Sequence, residues 1–206
     1  MHKTLAHRLF LSTVLFAALL APTPAGAQGE ATFVFGGLLG GNLLDIVQGD
    51  LSLTTAFDNG RLYGGRLGWY GFPLGVEGSV VYSRSGISAT VEDFITLDAR
   101  VLYAEANVLL IILPGPVQPF VTGGGGLHSF KLNQFKGVEI NKFAFNFGFG
   151  VKAKISRVAL RFDVRDHRTP FEASDFGVSD EIAEAIGFGK ATLDNVEVSF
   201  GIGVRF

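Results

Sequence analysis

The sequence predicts an all-β protein: a closed eight-stranded antiparallel up-and-down transmembrane β-barrel over residues 28–206, preceded by a cleaved signal peptide over residues 1–27. Three observations carry that prediction. Apolar residues recur at every second position in eight separate units. The breaks between the units alternate between short and long. The composition, 48% hydrophobic and only 17% charged with 28 glycines and 20 phenylalanines, is unusual for a domain dissolved in water and suits β structure beside lipid.

The first 27 residues read as an address. Lys3 and Arg8 give a positive start, Leu9 to Ala21 an apolar run, and Ala25-Gly26-Ala27 a small-residue cleavage site, so the mature protein is expected to begin near Gln28. A membrane helix would need about 20 apolar residues. No later stretch reaches that length, because Val108 to Leu113 stops at Pro114.

From Glu30 onward the alternating units are 30–41, 61–72, 74–85, 96–112, 118–129, 141–154, 157–167 and 193–206. About 9 to 11 tilted residues suffice for a strand to cross a bilayer, so each unit is long enough. The apolar period of 2, with glycine every few residues, excludes helices here. Short connections fall at Phe72-Pro73, at 113–117 and at Ser156; longer, more polar ones occupy 42–60, 86–95, 130–140 and 168–192. A short side and a long side is the pattern of an outer-membrane barrel with periplasmic turns and outer loops, which puts both termini on the periplasmic side. The one credible helix, Ser179 to Ile186, lies in the last long loop, with Ser179 as cap and Gly187 after its end.

Facing can be assigned unit by unit. In the seventh, Val158, Leu160, Phe162 and Val164 alternate with Ala159, Arg161, Asp163 and Arg165, a lipid row against a charged interior row. The sixth sets Phe143, Phe145, Phe147, Phe149 and Val151 against Asn146, Gly148, Gly150 and Lys152, and the third sets Val76, Val80 and Tyr82 against Glu77, Ser79 and Ser83. The eighth carries Val196, Val198, Phe200, Ile202, Val204 and Phe206 outward, with Glu197, Ser199, Gly201, Gly203 and Arg205 inward. The fourth unit breaks the pattern: Asp98 and Arg100 share one parity, Glu105 and Asn107 the other. Either a β-bulge intervenes or Asp98 and Arg100 stand above the bilayer, and the second is the expectation.

Bare sheet edges are too costly in hydrocarbon, so the first and last strands are expected to pair. Eight strands leave an interior just wide enough to be filled by side chains. Arg66, Glu77, Glu105, Lys152, Arg161, Asp163, Arg165, Glu197 and Arg205 are the expected interior or inner-rim charges, a structural ion-pair network that plugs the lumen. Trp69, Tyr70, Phe72, Phe120 and Phe206 are expected to form an aromatic girdle at the periplasmic rim.

With these features the chain resembles the small outer membrane β-barrel proteins of Gram-negative bacteria, the OmpA-like and OmpX-like eight-stranded barrels grouped as an outer membrane protein β-barrel domain. The resemblance rests on the signal segment, Phe120-Val121-Thr122-Gly123-Gly124-Gly125-Gly126, Phe147-Gly148-Phe149-Gly150-Val151-Lys152, Val158 through Arg165, and the terminal Val204-Arg205-Phe206. It covers the mature chain and specifies architecture better than activity, since such barrels differ in their loops. It implies that Phe206 acts as an assembly signal for the barrel assembly machinery, and that outer membrane lipids and lipopolysaccharide are the surroundings.

Chemistry is sparse. Gly123 to Gly126, and Gly36-Gly37 with Gly40-Gly41, lack the following Lys-Ser/Thr and helix of a phosphate loop, and read as room for large neighbours across the lumen. His128-Ser129 suggests a base and nucleophile, but adjacent strand residues point to opposite faces. Two mature histidines, His128 and His167, with scattered carboxylates give no metal site, and no cysteine offers a thiolate. Asp175, Asp180, Glu181 and Glu184 make the last loop acidic and solvated. A net charge of −2 gives no basic field for nucleic acid. The expected protein is a non-enzymatic monomer without cofactor, with a plugged lumen and a structural or adhesive role through its loops; the alternatives are a narrow channel or carrier for a small or apolar solute and, behind it, a lipid-modifying hydrolase.

Overall fold

The computed structural model describes residues 28–40, 42–48, 51–57, 59–91, 93–132, 139–172 and 190–206. The expected signal peptide, the helix at 179–186 and the acidic residues 175, 180, 181 and 184 lie outside them. Among the described residues there are ten strands: β1 (Gln28–Leu39), β2 (Asn42–Gln48), β3 (Leu51–Phe57), β4 (Gly60–Tyr70), β5 (Leu74–Val91), β6 (Asp93–Ile111), β7 (Val117–Leu132), β8 (Glu139–Ile155), β9 (Val158–Glu172) and β10 (Lys190–Arg205). β1 and β4 to β10 form the barrel, every neighbour antiparallel, and β5 pairing with β6 together with β1 pairing with β10 closes it. No helix among the described residues is long and apolar enough to cross a membrane.

Closure is continuous. β1 and β10 pair in unbroken register from Glu30↔Arg205 to Leu39↔Val196, so the seam leaves no run of unpaired N–H and C=O groups. On the outside Phe35 lies opposite Phe200, their ring centroids 6.3 Å apart, and Phe162 packs on Phe200 at 5.0 Å. At the turn end the Phe206 N–H donates to Gly29 O at 2.9 Å. A Cβ at Gly29 would fall 2.3 Å from the Phe206 ring, so glycine makes the space in which the ring sits.

The predicted lipid rows face outward. Phe143, Phe145, Phe147 and Phe149 are 50–60% exposed, as are Ile202 and Val204, while the alternate positions Asn146, Lys152, Glu197 and Ser199 are buried. A continuous apolar belt of this size is disfavoured on a water-soluble monomer and is what a hydrocarbon surround requires. Tyr63 and Tyr82 pair across β4 and β5 with centroids 5.3 Å apart, nearer the end with the long connections.

Two readings of the connections need correction. β5 and β6 run on through 86–95, and β2 and β3 form a hairpin inside 42–60 whose β3 pairs with the end of β5. The strands outrun the alternating units because, beyond the lipid, an outward side chain no longer has to be apolar while the hydrogen-bonded ladder can continue. The same point accounts for Arg100, while the side chain of Asp98 lies outside the described residues. Pairing from Leu74↔Leu110 to Val91↔Asp93 has no register shift, so no bulge separates them from Glu105. Arg100 is exposed and pairs with Arg84 and Lys131 near the loop end, as the second reading expected.

Connections at the other end are tight. Ser156-Arg157 alone joins β8 to β9, with Ser156 at φ 55°, and residues 112–116 and 71–73 make the other two turns. Within the wall, a Cβ on Gly126 would lie 2.0 Å from Ala104 O and 2.6 Å from Glu105 Cα, whereas one on Gly123 would meet nothing nearer than Asn146 O at 3.8 Å. Gly126→Ala is therefore expected to cost about 1–3 kcal/mol through overpacking against backbone, and Gly123→Ala almost nothing. Urea titration of the refolded barrels, read as the fraction with heat-modifiable gel migration, measures both; equal midpoints would show that the strands move apart easily.

Candidate functional site

Inward-pointing residues fill the lumen in layers, and the strands' parity decides which residues arrive there. Nearest the turns, Lys152 Nζ lies 3.0 Å from Glu30 Oε1 and 3.1 Å from the Tyr70 ring centroid, and Thr32 Oγ1 donates to Glu30 at 3.0 Å. Tyr70 packs there with Leu109, Ile111 and Phe120 as a buried apolar cluster. This corrects the expected girdle: Trp69, Phe72 and Phe206 face outward, but Tyr70 and Phe120 turn inward, 4% and 2% exposed. Their parity carries the signal, since Tyr70 shares it with Arg66 and Phe120 with His128. Gly150 leaves the room for Phe120, whose ring a Cβ there would approach to 2.5 Å.

Next comes a cross-lumen ion network. Arg161 forks onto Asp163 with Nε and Nη2 at 2.7 and 2.8 Å and reaches Glu77 through Nη1. Arg165 Nη2 donates to Glu77 Oε1 at 2.7 Å and to Asp163 Oδ1 at 3.2 Å. Arg66 contacts Asp163 at 2.9 Å and donates to Glu197. The Tyr70 hydroxyl donates to Glu77 Oε2 and the Ser199 hydroxyl to Glu197 Oε1, both at 2.5 Å. All these charged side chains are essentially inaccessible to solvent. β9 thereby links β4, β5 and β10 through the middle of the barrel, in forked geometry that favours arginine over lysine.

Above this lies a third layer. Glu105 Oε1 sits 2.9 Å from both His128 Nε2 and His167 Nδ1, and Ser79 Oγ is 3.5 Å from Glu105 Oε2. The far nitrogens are engaged too: His128 Nδ1 is 2.8 Å from Thr169 Oγ1, and His167 Nε2 is 3.2 Å from Glu197 Oε2. Tyr103 stacks on His167, centroids 4.5 Å apart and rings nearly parallel, and its hydroxyl accepts from Asn195 Nδ2 at 3.2 Å. Tyr103 belongs to a second apolar cluster with Val34, Leu62, Val101, Phe130 and Leu193, which closes the lumen towards the loops.

Of the expected interior charges, Arg66, Glu77, Glu105, Lys152, Arg161, Asp163, Arg165 and Glu197 are all buried in the lumen. Arg205 is at the turn rim, donating to Ser156 O at 2.9 Å and to Gln28. Glu30 and both histidines are additions to the expected set. The carboxylates are not scattered: one oxygen of Glu105 and one nitrogen each of His128 and His167 lie within 4.8 Å of one another, which corrects the expectation of no metal-type cluster. His128 and Ser129 do face opposite sides of the wall, the imidazole fully buried in the lumen. That geometry keeps the pair apart as base and nucleophile.

The ion network makes a prediction about stability. Glu77 receives Tyr70, Arg161 and Arg165, so Glu77→Gln strands buried guanidinium charge and is expected to cost about 3–5 kcal/mol. Arg168, 55% exposed beside Asp166 and Asp194, is a surface partner whose change to Ala should cost less than ~1 kcal/mol. Urea unfolding in detergent reads both, and similar losses for the two would contradict a lumen held by Glu77.

A family model described as outer membrane protein beta-barrel domain matches residues 12–206. No curated protein matches the chain. Among solved structures, the chain is similar to Neisserial surface protein A at 14% identity with a TM-score of 0.55, covering 88% of this chain and 97% of that one. The N-terminal β-barrel domain of Pseudomonas aeruginosa OprF has 14% identity, a TM-score of 0.42 and coverage of 87% and 99%. Ail, the attachment invasion locus protein of Yersinia pestis, solved with the heparin analogue sucrose octasulfate, has 15% identity, a TM-score of 0.43 and coverage of 87% and 99%. Of the three, the first alone bears on the fold.

Proposed function

The chain belongs to the outer membrane protein β-barrel domain family, and from that premise we propose that this Gram-negative outer membrane barrel is a non-enzymatic, monomeric protein acting structurally and through its loop end at the cell surface. The observation that carries the reading is the closed lumen: an ion network lies between two buried apolar clusters, Tyr70 with Leu109, Ile111 and Phe120 on one side and Tyr103 with Phe130 and Val101 on the other. A solute pathway would have to break both. The loop end, by contrast, is built up. β5 and β6 have 18 and 19 residues, well beyond the roughly 9 to 11 that cross the bilayer. At about 3.3 Å per residue the excess supports a wall standing on the order of 20 Å above the lipid, with the β2–β3 hairpin fixed to it. In this reading both termini are periplasmic, lipopolysaccharide and phospholipid surround the belt, and contacts with other molecules are made by the loops.

Planar-bilayer recording of the refolded protein is expected to show no steady single-channel steps, and regular steps would replace this reading with the narrow channel. The place of Phe206 against Gly29 at the seam supports its proposed second role as the signal read by the barrel assembly machinery. Deleting Phe206 is expected to lower the folded barrel severalfold in isolated outer membranes while leaving refolding in detergent much less affected. Unchanged levels in cells would withdraw that role.

A further inference from the structure

Among the described residues, the charges buried in the lumen do not balance. Four cations, Arg66, Lys152, Arg161 and Arg165, face five carboxylates, Glu30, Glu77, Glu105, Asp163 and Glu197. The three arginines engage Glu77, Asp163 and Glu197, and Lys152 engages Glu30. Glu105 is bonded by Ser79, His128 and His167 instead. One positive charge is missing, and it is missing there.

The hydrogen bonds around the two imidazoles say where it belongs. Glu197, ionised beside Arg66, can only accept, so His167 Nε2 at 3.2 Å carries the hydrogen of that contact. Thr169 Oγ1, 2.8 Å from His128 Nδ1, can accept from that ring in the same way. With those outer hydrogens in place, His128 Nε2 and His167 Nδ1 turn lone pairs towards a single carboxylate oxygen, 2.9 Å from each. Three electron-pair donors converge, and a cation among them is what would hold them together.

We propose that Glu105, His128 and His167 form a lumen site for one divalent d-block ion of the zinc class. Two imidazole nitrogens and a carboxylate oxygen are a zinc-type donor set, and hard ions such as magnesium and calcium prefer oxygen cages. The three donor atoms lie within 4.8 Å of one another. Tetrahedral bonds of about 2.0–2.1 Å put donors about 3.3 Å apart, so the carboxylate oxygen, now 2.9 Å from each nitrogen, withdraws by a few tenths of an ångström and the two imidazoles draw together from their separation of at most 4.8 Å. Glu105 Oε2 or a water completes the coordination. The second nitrogen of each ring rests on an oxygen, Thr169 for His128 and Glu197 for His167, which is the outer support that metal-binding histidines characteristically have. Without the ion, an imidazolium at His167 makes the lumen neutral. Binding the ion expels the Nδ1 proton of His167 and moves the His128 hydrogen from Nε2 to Nδ1, so one proton leaves for each divalent ion taken up and the lumen goes from neutral to one positive charge. Tyr103 stacked on His167 and Phe130 beyond it close the way out, so uptake accompanies folding.

Cobalt serves as the spectroscopic probe. The chain is refolded from denaturant into chelator-treated detergent with Co²⁺, desalted, and assayed for metal content, visible absorption and proton release. The expected result is one cobalt per folded chain, the intense visible bands of four-coordinate Co²⁺, one proton released per ion, and displacement by Zn²⁺. Glu105→Gln and His167→Gln should each bind at least tenfold more weakly with heat-modifiable migration kept, and Thr169→Val about 10- to 100-fold more weakly, as for loss of an outer support. A wild-type barrel that folds and holds no cobalt overturns the site, as does wild-type affinity in both Glu105→Gln and His167→Gln. If neither of those variants folds, the stoichiometry and proton count of the wild type decide the matter.

Discussion

In hydrocarbon an unpaired backbone N–H or C=O costs several kcal/mol, and the pairing of β1 with β10 removes that cost along the whole seam. Closing eight strands this way sets the width of the tube, and the width sets the contents of the lumen. There is space for side chains and little for anything else. Every second residue of every wall strand therefore becomes a core residue, whatever its polarity. The glycines follow from the same limit: at Gly126 and Gly150 the opposing backbone or ring comes so near that a Cβ has nowhere to go.

Polar groups forced into such an interior have to satisfy one another, and the network does so across the lumen more than along the wall. Arg161 and Arg165 on β9 reach Glu77 on β5, and Arg66 on β4 reaches Asp163 on β9 and Glu197 on β10. Buried ion pairs are weak sources of net stability compared with well-packed apolar side chains. Their effect here is on register. A one-residue slip of β9 would turn Arg161, Asp163 and Arg165 into the lipid and bring Leu160 and Phe162 inward, so the alternative pairing is opposed by three misplaced charges. The apolar clusters at the two ends serve a different purpose, keeping bulk water away from the ion layer and closing the passage.

Parity was legible in the sequence because lipid and lumen impose opposite requirements on neighbouring residues. It placed the phenylalanine row of β8, the charged row of β9 and eight of the interior charges. Strand ends were less legible, since beyond the lipid the outward face of β5 and β6 is released from being apolar and the pattern fades while the pairing continues. Tyr70 and Phe120 were misplaced for a related reason: an aromatic ring near a strand end suits either the rim or the lumen, and composition alone does not separate them, although parity does. The cluster of Glu105, His128 and His167 was invisible because its members come from β6, β7 and β9 and meet only once the registers are fixed. Tyr103↔His128 and Asn146↔His167 are pairings that no local pattern announces.

A lumen without a reservoir of water cannot spread an imbalance of charge, so the deficit at Glu105 has to be met by what stands beside it. In the layer below, guanidinium groups meet the same demand permanently, and that part of the barrel is committed to structure. Imidazoles differ because they can meet it in two ways, by carrying a proton or by giving up lone pairs to a metal ion. The wall, the seam and the arginine network are the same in both cases. The layer between the ion network and the loop-side apolar cluster is thus the one place in the described lumen where the occupant can change without the barrel changing, and it lies directly beneath Tyr103, the residue that connects it to the loop end.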